Sequence, residues 1–555
     1  MAMGALVTGR GGRAVDEAET PAAPACRIRL HAQRAAGALA VMAGVVAAVP
    51  ALCEPAQIQR QISGVDTAET ALAAGEAAKQ LNDPFGKLVL RKGVFPATVD
   101  DVLATLDKLK KPGALPVQAS FFISESAHIP VDSASAGLKR EFRIVITRSD
   151  AANSSIVMMN VPAGDRAGLL ELIAWDTSKK AFNYYRREDV ARWVWRGDSR
   201  DALRRASTGQ GCFECHVHGA PVMKELRLPW NNWHSQAASI PREAIPDTAI
   251  RDSALFVGKR PAEELERSVR AWASQAISAR VAEKATGKKL LEAPRLVRAL
   301  FETTTVNLTT SNSLSDATAT TPLDLPTRFF LNSDLLSSVL KVKIPPFSAK
   351  IRRDHYLAAI GKFNFRLEQD SFVRKGDTRF AFLVPEPAME ETLLLQQLIT
   401  KNVVTPHFAL SVQLIDFQNP VFSQARAQLL QYVPDTAALK GGASDLSATT
   451  ATAIIGAAAT ADPASPEKLF AEHYAMKPEA LRAEAEKRVK AYLAAVETRL
   501  TRQDGVDDYV QLAETRRASF AGMVLRELGS FPLMLPRTDI TSAPRVMKID
   551  GKLGP

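Results

Sequence analysis

The chain has 555 residues, of which 46% are hydrophobic and 23% charged, so it is long enough for several globular domains, and collagen-like, wholly disordered and multi-span membrane architectures are excluded. Its formal net charge is +10, but the basic residues are diffuse and nowhere form a run of five, so no nucleic acid is expected as a partner. Four cysteines, Cys26, Cys53, Cys212 and Cys215, are too few for a disulfide framework.

Residues 1–26 are rich in Gly, Ala and Arg and suggest no element. Arg27, Arg29 and Arg34 then precede an apolar run from Ala35 to Val49, and Val49-Pro50-Ala51 carries small residues at cleavage-specifying positions. A run of about 15 apolar residues falls short of a bilayer span, so 1–51 read as a cleaved signal peptide. The expected location is the periplasm or another exported compartment, with no integral membrane span left after cleavage. Lipidation at Cys53 is disfavoured because Leu52 precedes it.

Residues 65–80 read as a helix ending at Asn82-Asp83-Pro84, and Val99 to Lys110 as a second helix ended by Pro112-Gly113. The period then changes from helical to alternating. Strands are predicted at Val117–Ile123, Phe142–Thr147, Ile156–Val161, Leu169–Trp175 and Phe182–Arg186, the last two joined by a hairpin turn at Asp176 to Lys180. These runs with short polar turns imply an antiparallel sheet. Five of the six tryptophans (Trp175, Trp193, Trp195, Trp230 and Trp233) fall between residues 175 and 233, as do Tyr184 and Tyr185. They suggest either an ordinary aromatic core or a wall for a large flat ligand.

Gly211-Cys212-Phe213-Glu214-Cys215-His216 contains Cys-x-x-Cys-His, the attachment string of c-type haem. Two thiols three positions apart can add to the two haem vinyl groups, and the adjacent imidazole can then ligate the iron. A zinc site from Cys212, Cys215, His216 and His218 would crowd four ligands on one turn, and no second Cys-x-x-Cys exists. A redox dithiol would want a βαβ setting. Through Cys212, Cys215 and His216 the chain resembles the c-type cytochromes, and its strands-before-motif layout is similar to the cytochrome P460 arrangement. The first resemblance implies one covalent haem c, proximal ligation by His216 and single-electron transfer to a redox partner protein. The second implies the alternative of a haem enzyme or small-gas-binding protein with an open distal iron position, so an oxidoreductase activity stays open. Met223 and His234 lead as distal ligands, since the longer tether to His234 reaches easily round a porphyrin. His218, Met158, Met159 and His128 rank behind them. Arg186, Arg187 and Arg192 are candidates for the propionates.

Residues 241–260 read as a linker, Pro261 to Lys288 as a helix and Thr303 to Thr321 as a surface loop. Helices are predicted at Ser333–Leu340, Asp354–Ile360, Met389–Lys401 and Phe422–Tyr432, and strands at Phe380–Val384 and Phe408–Ile415. Lys440 to Pro466, rich in small residues, reads as a flexible linker, Pro478–Leu500 as an amphipathic helix and Val506–Leu528 as continuing the helical character. The expected fold is α+β: a β-rich domain over 60–240 bearing the motif, a mixed α-rich domain over 241–435, a linker over 436–466 and a helical region over 467–555.

Overall fold

The structure, a computed structural model, describes residues 57–554 apart from 112, 125–141, 163–169, 190, 191, 215, 217, 218, 220, 222–247, 261, 305, 310–319, 326, 370, 371, 376–383, 523–536, 542 and 543. The signal-peptide reading lies outside these residues. The described residues are mixed α and β, and they belong to a compact unit spanning 50–555.

The N-terminal part opens with β1 (Ile58–Arg60) and β2 (Thr70–Ala71), then α1 (Ala74–Gln80), α2 (Pro84–Leu88) and α3 (Val99–Asp107). The helix expected over 65–80 is thus shorter, because Thr70–Ala71 pairs with β1 and the Asp66 carboxylate turns the chain by accepting from Ile62 N–H and Arg60. A capping box between Thr98 and Asp101 starts α3. Six longer strands follow: β3 (Val117–Ser124), β4 (Phe142–Ser149), β5 (Ile156–Pro162), β6 (Leu170–Asp176), β7 (Ala181–Asp189) and β8 (Arg192–Asp198). The order is β2-β1-β8-β7-β6-β5-β4-β3, antiparallel throughout except where β1 runs parallel to β8. The predicted turn between β6 and β7 forms because Asp176 Oδ1 accepts from the Ser178 and Lys179 amides, while Oδ2 accepts from Asn82 N–H. Sequence reading missed β8: in Trp193-Val194-Trp195 every position is apolar and no alternation shows.

Strand register sorts the side chains into two faces. Met159, Leu172, Tyr185 and Trp195 lie in one cross-strand row, and Thr147, Met158, Ile173 and Tyr184 in the adjacent row on the opposite face. The first face packs on the N-terminal helices, with Phe85 set edge-on against Tyr185 and Trp193. Burying four or five such aromatic rings contributes on the order of several kcal/mol.

After α4 (Thr248–Arg251) and α5 (Ala254–Val257), the long helix α6 (Ala262–Lys284) crosses from one core to the next. Its Leu265, Val269 and Trp272 join the core of the sheet, whereas Ala273, Ile277 and Val281 join a second core. That second core collects α7 (Ala293–Val297), α8 (Arg353–Lys362), α9 (Met389–Thr400), α10 (Pro406–Gln413), α11 (Gln424–Gln428), α12 (Leu446–Ala458), α13 (Pro466–Ala475), α14 (Pro478–Leu500) and α15 (Gln503–Gly522). Four expectations are corrected here. The cores divide within α6, not at residue 240. Regions 241–435 and 467–555 share one core. The supposed linker over 436–466 holds paired strands at Ala437–Lys440 and Ala443–Ser444 and the helix α12, whose Leu446, Ala451 and Ile454 are buried, so small residues there mark close packing. Phe408–Ile415 is helical, not a strand: its all-apolar run hides the period, but Thr405 caps α10 by accepting from Phe408 N–H, with Pro406 in the first turn. Among the described residues no helix is long and apolar enough to cross a membrane.

Candidate functional site

The chain leaves β8 through a short 3-10 turn at Asp201–Leu203, and the Ser207 hydroxyl donates to the Asp201 carbonyl. A second 3-10 turn, Gly211–Glu214, carries Cys212 and Phe213. His216 N–H donates to the Cys212 carbonyl at 3.1 Å, and Gly219 N–H donates to the His216 carbonyl at 2.8 Å. On a 3-10 turn residues three apart share a side, and Phe213, buried in the core, and His216 both meet the Tyr184 ring. Cys212 and His216 are half-buried.

Two glycines anchor this segment. Gly211 has φ +61, and a Cβ there would lie 2.4 Å from Ser63 Oγ. Gly219 has φ +67, and a Cβ there would lie 2.5 Å from the Ser199 carbonyl oxygen. Ser199 holds the far side: its hydroxyl donates to the Gly219 carbonyl at 2.8 Å and accepts from Phe182 N–H at 2.9 Å.

Tyr184 forms the floor. Its ring meets the Phe213 ring edge-on at 5.4 Å and the His216 imidazole at 5.2 Å, and its hydroxyl shares a hydrogen bond with Ser199. Burial first, and the nearby Cys212 second, hold this phenol well above its ordinary pKa, so it stays neutral. Because Met158 and Ile173 share the Tyr184 row, Met158 is on the motif's face of the sheet and Met159 is on the other. The sequence could not separate these neighbours.

The other residues singled out fall as follows. Cys215, His218, Met223, His234, His128, Trp230 and Trp233 lie outside the described residues. Trp193 and Trp195 point to the helix-covered face, where their indole N–H groups donate to the Pro96 carbonyl and to Asn183 Oδ1, so they belong to that core. Trp175 packs on Phe182 on the motif's face. Arg192 pairs with Glu69 and Asp189, and Arg187 shares the Tyr185 face. Arg186 is on the Tyr184 face, pairing with Glu188 at 3.3 Å.

Sequence reading also missed a buried polar chain on the opposite face. Lys179 Nζ donates to Asp198 and to Asn183 Oδ1, both at 2.8 Å, and Asn183 Nδ2 donates to Asp83 at 2.7 Å. Tyr185 donates to the same Asp83 oxygen at 2.5 Å, and burial raises the Asp83 pKa. Among the described residues no group of three or more His, Cys, Asp or Glu side chains is placed to hold a metal ion.

Comparison with known proteins gives no match: no family model, no curated protein and no solved structure matches the chain.

Proposed function

We infer that the chain is an exported mono-haem c-type cytochrome that passes single electrons to a redox partner protein. The observation that carries this reading is the Cys212-x-x-Cys215-His216 string, with the His216 amide tied back to the Cys212 carbonyl and the imidazole seated on Tyr184. When bound, haem supplies a one-electron iron couple. Cys212 and Cys215 would hold it by adding their S–H bonds across the two vinyl groups, sulfur to one carbon and hydrogen to the other, with no oxidant consumed. His216 would ligate the iron. Tyr184 and Phe213 limit the freedom of that turn and keep water from its inner side. Asn183 and the other polar groups behind the sheet keep β7 in register, which fixes where Tyr184 stands.

The test is the absorption spectrum of the periplasmically matured chain, oxidised, reduced with dithionite and then exposed to carbon monoxide. Covalent haem that resists acid-acetone extraction, absent from the Cys212→Ser/Cys215→Ser double variant, supports the attachment. A low-spin reduced spectrum unmoved by carbon monoxide supports the carrier and directs substitution to His234, Met223 and Met158. A high-spin spectrum that shifts with carbon monoxide replaces the carrier with a ligand-binding or catalytic haem. No covalent haem overturns both.

A further inference from the structure

A narrow cleft lies between the end of β8 and helices α6 and α9. Ser199, Leu203 and Gly219 bound it on one side and Ile277, Arg280 and Glu390 on the other, around about 390 Å3 of space that includes open solvent. Gly219 closes the turn that follows His216, so the cleft abuts the segment bearing the motif.

Arg280 sets the character of this cleft. Its Nε is buried without a hydrogen-bond acceptor, and among the described residues no carboxylate forms an ion pair with its guanidinium. Glu390 is on this lining, and with Glu391 it also lines an adjoining cavity that Arg280 borders; neither figures among the charges acting on Arg280. Arginines gather here, although Glu292 pairs with Arg295 at 3.9 Å. Arg295 lies beside Arg280, and Arg205 and Arg298 act on Arg295 in turn. Arg295 is tied to the approach to the motif by donating to Thr208 Oγ1 at 2.8 Å, while Arg200, also on the lining, is paired with Glu283. Burial, and Arg295 after it, pull the Arg280 pKa down to about 10, which leaves the group charged at neutral pH.

Arg280 is half-buried, and a cation partly withdrawn from water without a paired counter-charge favours a close anion with hydrogen-bonding oxygens. A guanidinium presents a planar fork of donors that matches a carboxylate or a phosphate. The uncommitted Nε, the cationic neighbours and the empty space converge on one chemistry. We propose that this cleft is an oxyanion site in which Arg280 binds a carboxylate or phosphate group beside the Cys-x-x-Cys-His segment. The group has two possible sources: a free small oxyanion, or a haem propionate, the second resting on the functional reading above.

The experiment is calorimetric titration of the full chain with sodium phosphate and, separately, sodium acetate in chloride-free buffer. Wild type, Arg280→Gln and Arg280→Lys are compared with haem attached and in the Cys212→Ser/Cys215→Ser background. Saturable binding in the haem-free wild type that weakens at least tenfold in Arg280→Gln, with Arg280→Lys between, is the expected result. Binding that persists with haem attached assigns the site to a free oxyanion, and binding that disappears assigns it to a propionate. Absence of saturable binding to the haem-free wild type, or equal binding to wild type and Arg280→Gln, overturns the site. If the chain takes up no haem at all, the functional reading fails while the haem-free titration still decides the cleft. If the double variant does not fold, the haem-loaded pair decides. Arg280→Gln must then either lose phosphate binding or raise the apparent propionate pKa in a pH titration of the haem spectrum by a unit or more, and neither change overturns the proposal.

Discussion

The imidazole of His216 rests against the ring of Tyr184 with centroids 5.2 Å apart and planes inclined at 48°. Tyr184 comes from the middle of β7, so the position of the proximal-ligand candidate is set by sheet register rather than by its own loop. Tyr184→Ala removes the floor and leaves a cavity under both Phe213 and His216. The expected loss is about 3–5 kcal/mol of stability, read by urea unfolding. Tyr184→Phe keeps the ring, loses one hydrogen bond and is expected to lose only about 1 kcal/mol. Equal losses in the two variants would show that the hydroxyl, not the ring, is what matters.

Gly219→Ala is expected to destabilise more than Gly93→Ala. Both residues have positive φ, so each substitution carries about 1–2 kcal/mol of left-handed strain. At Gly93 no other atom lies within 4 Å of the added Cβ, whereas at Gly219 it meets the Ser199 backbone at 2.5 Å. Unfolding midpoints of the two variants check this, and a Gly219→Ala protein as stable as Gly93→Ala would mean that the turn is loosely seated.

Lys179 and Asp198 form an ion pair with side chains 13% and 8% exposed. Lys179→Met removes the cation paired with the buried Asp198 carboxylate and one of the two donors to Asn183 Oδ1, and is expected to lose about 3–5 kcal/mol. Adding Asp198→Asn removes the stranded charge and should restore part of the loss. A double variant no more stable than the single one would argue that the charge of Asp198 is not the source of the penalty.

Acid is expected to weaken the second core through His473. Its side chain is buried, its Nδ1 lies 3.4 Å from the Ser411 carbonyl oxygen, and Arg488 approaches Nε2 at 2.9 Å. Burial, and Arg488 after it, lower its pKa below the ordinary value. The unfolded chain therefore binds a proton near pH 6.5 while the folded one does not, so stability falls as pH drops through that range, by up to about 1.4 kcal/mol per pH unit. Urea midpoints at pH 7.5, 6.5 and 5.5 should fall less steeply for His473→Asn than for wild type. Parallel slopes would exclude His473 as the source.

Much of this architecture is legible in local sequence because local forces decide it. Polar turns and β-branched or aromatic runs mark five of the strands, an apolar stripe after a first-turn proline marks α14, and Cys-x-x-Cys-His is a contiguous string whose chemistry depends on spacing along a single turn. Other features depend on what packs against a segment. Trp193-Val194-Trp195 shows no alternation because both of its faces are buried, and the small residues of α12 look like a linker until the helices beside them are in place. Met158 and Met159 are equivalent as letters and are separated by the pleat of β5, one toward Tyr184 and one toward the helices. Arg280 carries no motif, and it stands out only because α6 and α9 close over it with its Nε left without an acceptor. Adjacent residues encode the turn and the string, whereas long-range pairing alone determines which charges meet and which are left unpaired.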